Sequence, residues 1–396
     1  MHFHHLHFYV KDAAFWQNWF IDKLAFQAIA HPSNGQAANG QTAGFRALKQ
    51  GDIEVRLSDP YSSTEAQQYL QSHPPGIVDV AWATDCFEAV LTRARAKGAK
   101  LIQKVRGKLG QRQCQFQGWG SLRHTLVEIP PLLEVPSKAS RLEAAGLDAA
   151  PINATSQELS FPLEAQPELD NNAKRQSTCL DQSLLSSIDH VVLNVCRGQM
   201  EIASNWYQQV FGFTQGQRFE ITTAHSGLCS QVLVHPNGSL QLPINEPSSA
   251  NSQVQEFLDH NRGSGIQHVA LRSSDAVSAI AHFRQKGLNL ISVPTTYYED
   301  LQRRPHCPIP DTRAASAQQL LVDWAAGGQQ GALLQTFTKP IFSEPTFFFE
   351  IIERGTYAEN GHIKNAQGFG EGNFQALFEA IERDQLERGS LEAGKD

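Results

Sequence analysis

The chain repeats itself in sequence, and this internal repeat constrains the fold more than any other feature. Short runs of β-branched and aromatic residues in the first half return, in the same order, in the second half. The corresponding pairs are 4–10 (HHLHFYV) with 189–195 (DHVVLNV), 76–81 (GIVDVA) with 265–270 (GIQHVA), and 126–129 (LVEI) with 348–351 (FFEI). Self-similarity of this kind indicates a tandem duplication of one structural unit.

Within each half, strand-like runs alternate with helix-like stretches. The stretch after the second run is bracketed in both halves by an aspartate and a glycine, Asp85 and Gly98 in one and Asp275 and Gly287 in the other. Aspartate suits a helix N-terminus, and glycine suits the position just past a helix C-terminus. We therefore predict an α+β fold in which each half holds two strand–helix–strands units.

We place the domain boundaries at the segment between the two halves where the repeated strand and helix pattern is absent from the sequence. We predict a first domain at 1–135, a linker or long loop at 136–187, and a second domain at 188–396. The linker is rich in Pro, Ser, Ala, Gln, Asn and Glu and has little periodicity, as is typical of such segments. A smaller loop is expected at about 303–319.

Composition argues against several classes of protein. A net charge of −7 disfavours nucleic acid as the main partner. Only 18% of the residues are charged, yet no run approaches 18 uninterrupted apolar residues, so we expect no transmembrane helix and no membrane partner. The six cysteines lie far apart without a CxxC pair, and the strand-like pattern of MHFHHLHFYV at 1–10 leads us to expect no export signal. We therefore expect a cytoplasmic protein with reduced thiols and no zinc–cysteine site.

Two histidines and a glutamate fall at matching places of the repeated strands in the second half, and we take His190, His268 and Glu350 as candidate metal ligands. In a strand as aromatic as 346–350, a lone buried carboxylate would be costly without a cation. Two imidazoles and one carboxylate, with positions left open, form the facial triad of non-haem iron(II) oxygen chemistry. Taken singly, each histidine could be an ordinary core or surface residue, and Glu350 could pair with Arg354.

Six segments of the second half carry a family resemblance. They are IDHVVLNV (188–195), LQLPINEP (240–247), GIQHVAL (265–271), LLQTFTKP (333–340), PTFFFEIIER (345–354) and GFGEGNFQALFEAIERDQ (368–385). With these segments the second half, from 188 to 389, resembles the 4-hydroxyphenylpyruvate dioxygenases, a family of the vicinal-oxygen-chelate superfamily; the first half matches the family in layout and more loosely in sequence. The resemblance implies two tandem vicinal-oxygen-chelate domains, each of two βαβββ units forming an open curled sheet, plus a C-terminal lid helix at about 373–388.

This resemblance also implies an activity. His190, His268 and Glu350 would hold one Fe(2+) per chain, and 4-hydroxyphenylpyruvate with O2 would yield homogentisate and CO2. Homodimers or homotetramers are expected from the same likeness. Two alternatives stay open at this point: a hydroxymandelate synthase, which hydroxylates the benzylic carbon of the same substrate, and a non-enzymatic ligand-binding member of the superfamily.

Pocket residues follow from the resemblance one at a time. Those implied to be catalytic are Ser230, Asn245, Gln253, Gln267 and Gln335; those implied to bind substrate are Pro243, Phe337, Phe348, Asn373 and Phe374. Phe337 and Phe374 would sandwich the substrate ring, whereas Phe348 could instead be plain core. The polar side chains would surround the phenol, and Gln267 and Gln335 could instead orient the metal ligands.

The C-terminal segment is predicted to cover the pocket. Three glycines (Gly368, Gly370 and Gly372) form a flexible entry, Asn373 is a suitable N-cap, and apolar residues then recur at helical spacing. We expect the helix at about 373–388 to act as a lid that excludes water from the reaction.

The first half retains part of the ligand pattern. The repeat aligns His5, Asp79 and Glu128 with the three candidate ligands. A second metal site is conceivable there. We expect instead a degenerate site in a half that now supports the fold, because function depends on the chemistry of a site rather than on its place in a fold.

Overall fold

The computed structural model of the chain describes residues 1–30, 44–130, 183–223, 226–309, 312–325 and 331–389. Most of the predicted linker at 136–187 lies outside these residues, so the domain boundaries stay a prediction. Among the described residues, no helix is both long enough and apolar enough to span a bilayer.

The first half forms one sheet of eight strands in the order β2-β3-β4-β1-β5-β8-β7-β6. The two central strands, β1 and β5, are antiparallel, and each has a parallel neighbour on its other side, β4 and β8. The strands are β1 His2–Tyr9, β2 Gln27–Ile29, β3 Arg46–Gln50, β4 Ile53–Ser58, β5 Gly76–Thr84, β6 Leu101–Arg106, β7 Gln113–Gln117 and β8 Arg123–Glu128.

The second half repeats this sheet strand for strand, in the order β10-β11-β12-β9-β13-β16-β15-β14. Adding eight to every strand number of the first sheet gives the second, which confirms the predicted duplication and the two βαβββ units of each half. The strands are β9 Ser187–Asn194, β10 Thr214–Thr222, β11 Gly227–Val234, β12 Gln241–Pro247, β13 Gly265–Arg272, β14 Leu321–Trp324, β15 Ala332–Phe337 and β16 Phe348–Arg354; a separate hairpin joins β17 Thr356–Glu359 to β18 His362–Asn365.

The helices show one clear difference between the halves. Two of them, α7 and α8, stand between α6 and β14 and have no described counterpart between α3 and β6. The loop expected at about 303–319 was therefore partly wrong, because α8 occupies its middle. The helices are α1 Ala13–Leu24, α2 Thr64–Ser72, α3 Phe87–Ala96, α4 Met200–Phe211, α5 Gln253–Asn261, α6 Ala276–Gln285, α7 Thr295–Arg303, α8 Thr312–Ala317 and α9 Phe374–Arg388, the last preceded by a 3-10 turn at Glu371–Asn373.

Helix ends follow the sequence signals with one exception. Asp275 caps α6, accepting a hydrogen bond from the backbone N–H of Ser278 at 2.9 Å. Gly98 and Gly287, just past α3 and α6, take left-handed φ angles of 74° and 72°, which glycine adopts without strain. Asp85 does not cap α3: the capping position is Cys86, which makes no side-chain cap bond.

The two halves share one hydrophobic core. Helix α3 of the first half lies against α4 of the second, and Trp82 meets Phe211 edge to face at a centroid distance of 4.5 Å. Arg93 on α3 donates to the last carbonyl oxygens of α4, those of Val210 at 3.1 Å and Phe211 at 2.8 Å. A cation at a helix C-terminus is stabilising, so these contacts join the halves electrostatically as well as by packing.

A buried histidine also joins the halves. His124 on β8 stacks on Trp82 at 4.1 Å, with Nδ1 3.0 Å from the carbonyl oxygen of Val80 and Nε2 2.9 Å from Tyr207 Oη on α4. Burial lowers the pKa of His124 to about 4, against a smaller opposing effect of the Val80 carbonyl. The ring is therefore neutral in the folded protein at neutral pH.

Stability should fall as the pH drops from 6.5 towards 4. The folded pKa of His124 lies below its ordinary value of 6.5, so the unfolded chain binds a proton in this window and the folded chain does not. This single group should remove up to about 3 kcal/mol of unfolding free energy across the window. Urea unfolding at several pH values checks this: His124→Gln should show a shallower pH slope than the wild type, and equal slopes would contradict the assignment.

Candidate metal centre

The three predicted ligands meet in one buried cluster. One ligand atom from each of His190, His268 and Glu350 lies within 4.8 Å of the others. Glu350 Oε2 is 3.2 Å from His190 Nε2 and 3.8 Å from His268 Nε2. Among the described parts of the chain, this is the only such group of three His, Cys, Asp or Glu side chains.

The strand register explains why these side chains converge. Ala270 on β13 stands opposite His190 on β9 and, on its other side, opposite Glu350 on β16. Residues paired across a sheet point to the same face, and His268 lies two residues before Ala270 on that face. Between the two flanking ligands the central strand presents only a methyl group, which leaves room for their terminal atoms to approach.

Two β-bulges place a polar residue directly before each histidine ligand. In the β9–β13 ladder, Asp189 and Gln267 are extra residues without a paired partner. A bulge re-aims the local side chains, so neighbours in sequence can face one another. Asp189 Oδ1 lies 3.0 Å from His190 Nδ1, and Gln267 Oε1 lies 3.3 Å from His268 Nδ1. Each imidazole thus has its Nδ1 engaged, which leaves Nε2 as the ligand atom.

Asp189 is held by two arginines. Arg354 donates to both of its oxygens, from Nη2 to Oδ1 and from Nε to Oδ2, each at 2.7 Å, and Arg272 Nε reaches Oδ2 at 3.0 Å. Burial alone would raise the pKa of Asp189, but the hydrogen bonds from Arg354 and His190 outweigh it and hold the pKa well below its ordinary value. Arg354 therefore pairs with Asp189, whereas the alternative considered from the sequence was a pair of Arg354 with Glu350.

The electrostatics of the cluster suit a bound cation. Burial lowers the pKa of His190, yet the charges of Glu350 and Asp189 more than reverse this and raise it to about 9. Burial and the neighbouring His190 hold the pKa of His268 well below its ordinary value. The cluster thus attracts one positive charge at the His190–Glu350 contact. A divalent metal ion supplies such charge, and a donor set of two imidazoles and one carboxylate suits iron(II).

Glu350 is oriented from its other oxygen. Gln335 Nε2 donates to Glu350 Oε1 at 3.0 Å and to the carbonyl oxygen of Phe369 at 2.9 Å. Asn373 Nδ2 donates in turn to Gln335 Oε1 at 3.1 Å. These contacts leave Oε2 of Glu350 directed at the two histidines.

The cluster lies in the wall of a cavity lined by nearly all of the predicted pocket residues. The nine that line it are Ser230, Pro243, Asn245, Gln253, Gln267, Gln335, Phe337, Phe348 and Asn373. The side chain of Phe374 lies outside the described residues. His268 stacks on Phe348 with ring centroids 4.7 Å apart, so Phe348 contacts a ligand as well as the cavity.

Sequence reasoning missed several apolar residues of the cavity. Phe369 is the most informative, because its ring meets His190 edge to face at 5.2 Å. It stands between Gly368 and Gly370, and that glycine-rich segment was interpreted only as a flexible entry. Strand alternation places Val192 on the face of His190, and Phe378 and Ile381 belong to the apolar face predicted for the lid helix. The missed residues are Phe219, Ile221, Leu228, Val232, Phe369 and Gly370.

The predicted C-terminal helix is present as α9, and it covers the cavity through Phe378 and Ile381. Buried Glu382 fixes the helix by accepting hydrogen bonds from Thr223 Oγ1 and Ser226 Oγ, both at 2.6 Å. Asn373 occupies the predicted position before the helix, but its side-chain amide bonds Gln335 inside the protein. The N-cap prediction was therefore wrong about what this side chain does.

In the first half, the alignment of Glu128 with Glu350 is wrong by three residues. The ladder that puts Glu350 opposite Ala270 puts Thr125 in the corresponding place of the first half. Glu128 is held instead by Arg112, whose Nε donates to Oε2 at 2.8 Å. The runs LVEI (126–129) and FFEI (348–351) are similar in sequence, so the alignment matched their glutamates although the strands pair three residues apart.

The other two counterparts are also engaged. Asp79 accepts hydrogen bonds from the backbone N–H of Thr125 at 2.8 Å and from Gln115 Nε2 at 2.7 Å. His5 stands opposite Ala81, as His190 stands opposite Ala270, and its Nδ1 lies 2.8 Å from His4 Nδ1. These contacts support the expectation that the first half keeps the framework of a site without its ligands.

We expect one metal ion per chain. Metal analysis after loading with Fe(2+) should give a ratio near one, because the first half offers no converging ligand trio among its described residues. His5→Ala should leave this ratio unchanged, and His190→Ala should abolish it. A ratio near two that falls on His5→Ala would contradict the degenerate site.

Asp189→Asn should weaken Fe(2+) binding by about 10- to 100-fold, because it removes the carboxylate that orients His190. It should also lower the unfolding free energy by about 3 kcal/mol, since it leaves Arg354 buried without its charged partner. Anaerobic metal titration and urea unfolding measure the two effects. Arg272→Gln is the matched control, because it removes the more exposed partner of Asp189 and keeps Arg354. If both variants lost Fe(2+) affinity and unfolding free energy equally, the role of the carboxylate would be refuted.

Known proteins resemble this chain over nearly its whole length. The family model described as Glyoxalase/Bleomycin resistance protein/Dioxygenase superfamily matches residues 187–303. A 4-hydroxyphenylpyruvate dioxygenase from Coccidioides posadasii is 30% identical, covering 98% of this chain and 94% of its own. One from Danio rerio is 31% identical, covering 99% and 92%.

A solved structure shares the fold. It is a mutant of 4-hydroxymandelate synthase from Streptomyces coelicolor, with a TM-score of 0.72 and 22% identity, covering 97% of this chain and 98% of its own. At that identity it supports the architecture alone. Together with the sequence relatives, the fold shows that the chain belongs to the 4-hydroxyphenylpyruvate dioxygenase family of the vicinal-oxygen-chelate superfamily.

Proposed function

We propose that the protein is an iron(II)-dependent dioxygenase that converts 4-hydroxyphenylpyruvate and O2 to homogentisate and CO2 in tyrosine metabolism. The observation that carries the proposal is the buried group of His190, His268 and Glu350 in the wall of a cavity rich in phenylalanine. Three protein ligands leave other coordination positions of an iron ion free for the substrate and O2. One iron per chain, a cytoplasmic location and a homodimer or homotetramer complete the proposal.

The reaction places definite demands on the site. The oxo acid loses CO2, one atom of O2 enters the new side-chain carboxylate, the other becomes a ring hydroxyl, and the side chain migrates to the neighbouring ring carbon. His190, His268 and Glu350 would hold iron(II), which would supply the redox chemistry that O2 requires. The protein itself must orient the ring and exclude water.

The cavity offers an apolar and a polar wall for the substrate. Phe337 and Phe348 meet at a centroid distance of 6.2 Å and would contact the flat ring, with Phe374 as the further aromatic partner implied by family resemblance. Ser230 and Asn245 are paired on neighbouring strands and face the same cavity. With Gln253 they would hydrogen-bond the phenol, which would otherwise be buried without partners.

Gln267 and Gln335 fit the alternative role of orienting the metal ligands. Each hydrogen-bonds a candidate ligand: Gln267 Oε1 is the partner of His268 Nδ1, and Gln335 Nε2 donates to Glu350 Oε1. Both also line the cavity, so they would reach the substrate and the metal ligands together. Helix α9, packed over the cavity, would serve as the lid that keeps bulk water from the reacting centre.

The rival activity is that of a hydroxymandelate synthase, since a solved structure of such an enzyme has a similar fold. It would use the same ligands and substrate but would place the new hydroxyl on the benzylic carbon. We favour ring hydroxylation because the sequence relatives that match at about 30% identity are named 4-hydroxyphenylpyruvate dioxygenases.

The deciding experiment is a product assay. Protein loaded with Fe(2+) under ascorbate should consume O2 when 4-hydroxyphenylpyruvate is added, and chromatography should show homogentisate. Glu350→Gln should reduce the rate by more than about 100-fold, because loss of a ligand exceeds the loss caused by an outer partner.

Glu353→Gln is the matched control. It lies on the same strand, but its carboxylate accepts a hydrogen bond from the backbone N–H of Ala276, away from the ligands. It should retain activity. Hydroxymandelate as the product would establish the rival, and no O2 uptake by iron-loaded protein would favour a non-enzymatic binding protein.

A further inference from the structure

One of the two helices of the second half that have no described counterpart in the first is linked by hydrogen bonds to the candidate metal centre. Helix α7, Thr295–Arg303, stands where the first half passes directly from α3 to β6. Its residue Tyr297 directs its hydroxyl at Asn373, with Oη 2.7 Å from Asn373 Oδ1. Since the duplicated sheet is otherwise matched strand for strand, this helix is an addition specific to the half that holds the ligands.

Tyr297 begins a chain of hydrogen bonds that ends on a ligand. Tyr297 Oη donates to Asn373 Oδ1, Asn373 Nδ2 donates to Gln335 Oε1, and Gln335 Nε2 donates to Glu350 Oε1, at 2.7, 3.1 and 3.0 Å. Asn373, Gln335 and Glu350 are each about 2% exposed, so water does not compete readily for these bonds.

The direction of the chain follows from its ligand end. The amide group of Gln335 faces two acceptors, Glu350 Oε1 and the carbonyl oxygen of Phe369, and presents its NH2 to them. Gln335 Oε1 therefore accepts from Asn373 Nδ2, which leaves Asn373 Oδ1 to accept from Tyr297 Oη at 2.7 Å. The backbone N–H of Val322 donates to Tyr297 Oη at 2.8 Å, and the carbonyl oxygen of Val322, at 3.1 Å, is a more distant second acceptor for the hydroxyl proton.

Backbone geometry holds the chain in place. Gly370 has a φ of 80°, and a Cβ there would lie 1.9 Å from Gln335 Oε1, so only glycine permits this approach. The backbone N–H of Gly372 donates to Asp323 Oδ2 at 2.9 Å, which fixes the 3-10 turn to β14. The turn that carries Asn373 is thus anchored beside α7 independently of the metal centre.

We propose that Tyr297 is a positioning residue for the metal-binding carboxylate, acting through Asn373 and Gln335. By fixing the orientation of the Asn373 amide, it keeps Gln335 hydrogen-bonded to Glu350 Oε1 and Glu350 Oε2 directed at the histidines. Without the hydroxyl, Asn373 Oδ1 loses its partner, so the Asn373 amide can rotate, bring its oxygen against Gln335 Oε1 and displace Gln335 from Glu350. The inference rests on the proposed metal site but does not depend on which product the enzyme forms.

Tyr297→Phe tests the inference by metal affinity. Fe(2+) titrated without oxygen should bind about 10-fold more weakly than to the wild type, at the lower end of what loss of an outer partner costs. The matched control is Tyr298→Phe on the same helix, whose hydroxyl donates to the carbonyl oxygen of Leu320 at 3.1 Å, outside the chain. It should leave Fe(2+) affinity unchanged. Thermal unfolding of the metal-free variants shows whether both fold equally.

A double variant tests the route. If Tyr297 acts through Asn373, adding Tyr297→Phe to Asn373→Ala should weaken Fe(2+) binding no further. Unchanged affinity in Tyr297→Phe, equal losses in both tyrosine variants, or additive losses in the double variant would each overturn the inference. The readout is metal binding, so the two proposals can fail separately. If the wild-type protein binds Fe(2+) but forms no homogentisate, only the proposed function is contradicted. If it binds no Fe(2+), both the proposed function and the role of Tyr297 are contradicted.

Discussion

A carboxylate and two imidazoles confined within 4.8 Å in a buried site create a local demand for positive charge, and the rest of this molecule is arranged to keep them there. The confinement comes from the register of three adjacent strands, with Ala270 between His190 and Glu350. Bulges at Asp189 and Gln267 then supply each imidazole with a partner on its far nitrogen. The sheet thus fixes both where the candidate ligands lie and which of their atoms face one another.

Much of this arrangement could be predicted from the sequence, because it depends on repetition and on strand alternation. The duplicated runs predicted the two repeated domains, and the same frame singled out His190, His268 and Glu350. The bulges could not be predicted, since one extra residue in a ladder leaves no pattern beyond a polar residue before a histidine. Helix α7 was missed for a related reason: the described residues of the first half hold no counterpart between α3 and β6.

Where the predictions failed, tertiary contacts had replaced local preferences. Asn373 is a good helix cap by residue type, yet the side chains of Tyr297 and Gln335 use its amide. Glu128 looked like a ligand because its neighbours resemble those of Glu350, but strand pairing places it on another face, where Arg112 binds it. A residue's immediate sequence cannot reveal a three-residue offset between two ladders.

The bulges occur in both sheets: the first half has its extra residues at His4 and Val78, which correspond to Asp189 and Gln267. The backbone framework for a metal centre therefore exists twice in one chain, and only the side chains differ. This implies that the ancestor of the two halves had already acquired these irregular ladders before it was copied. At these ladders the descendants then diverged by side-chain substitution on an inherited backbone, so the first half preserves a record of the ancestral geometry.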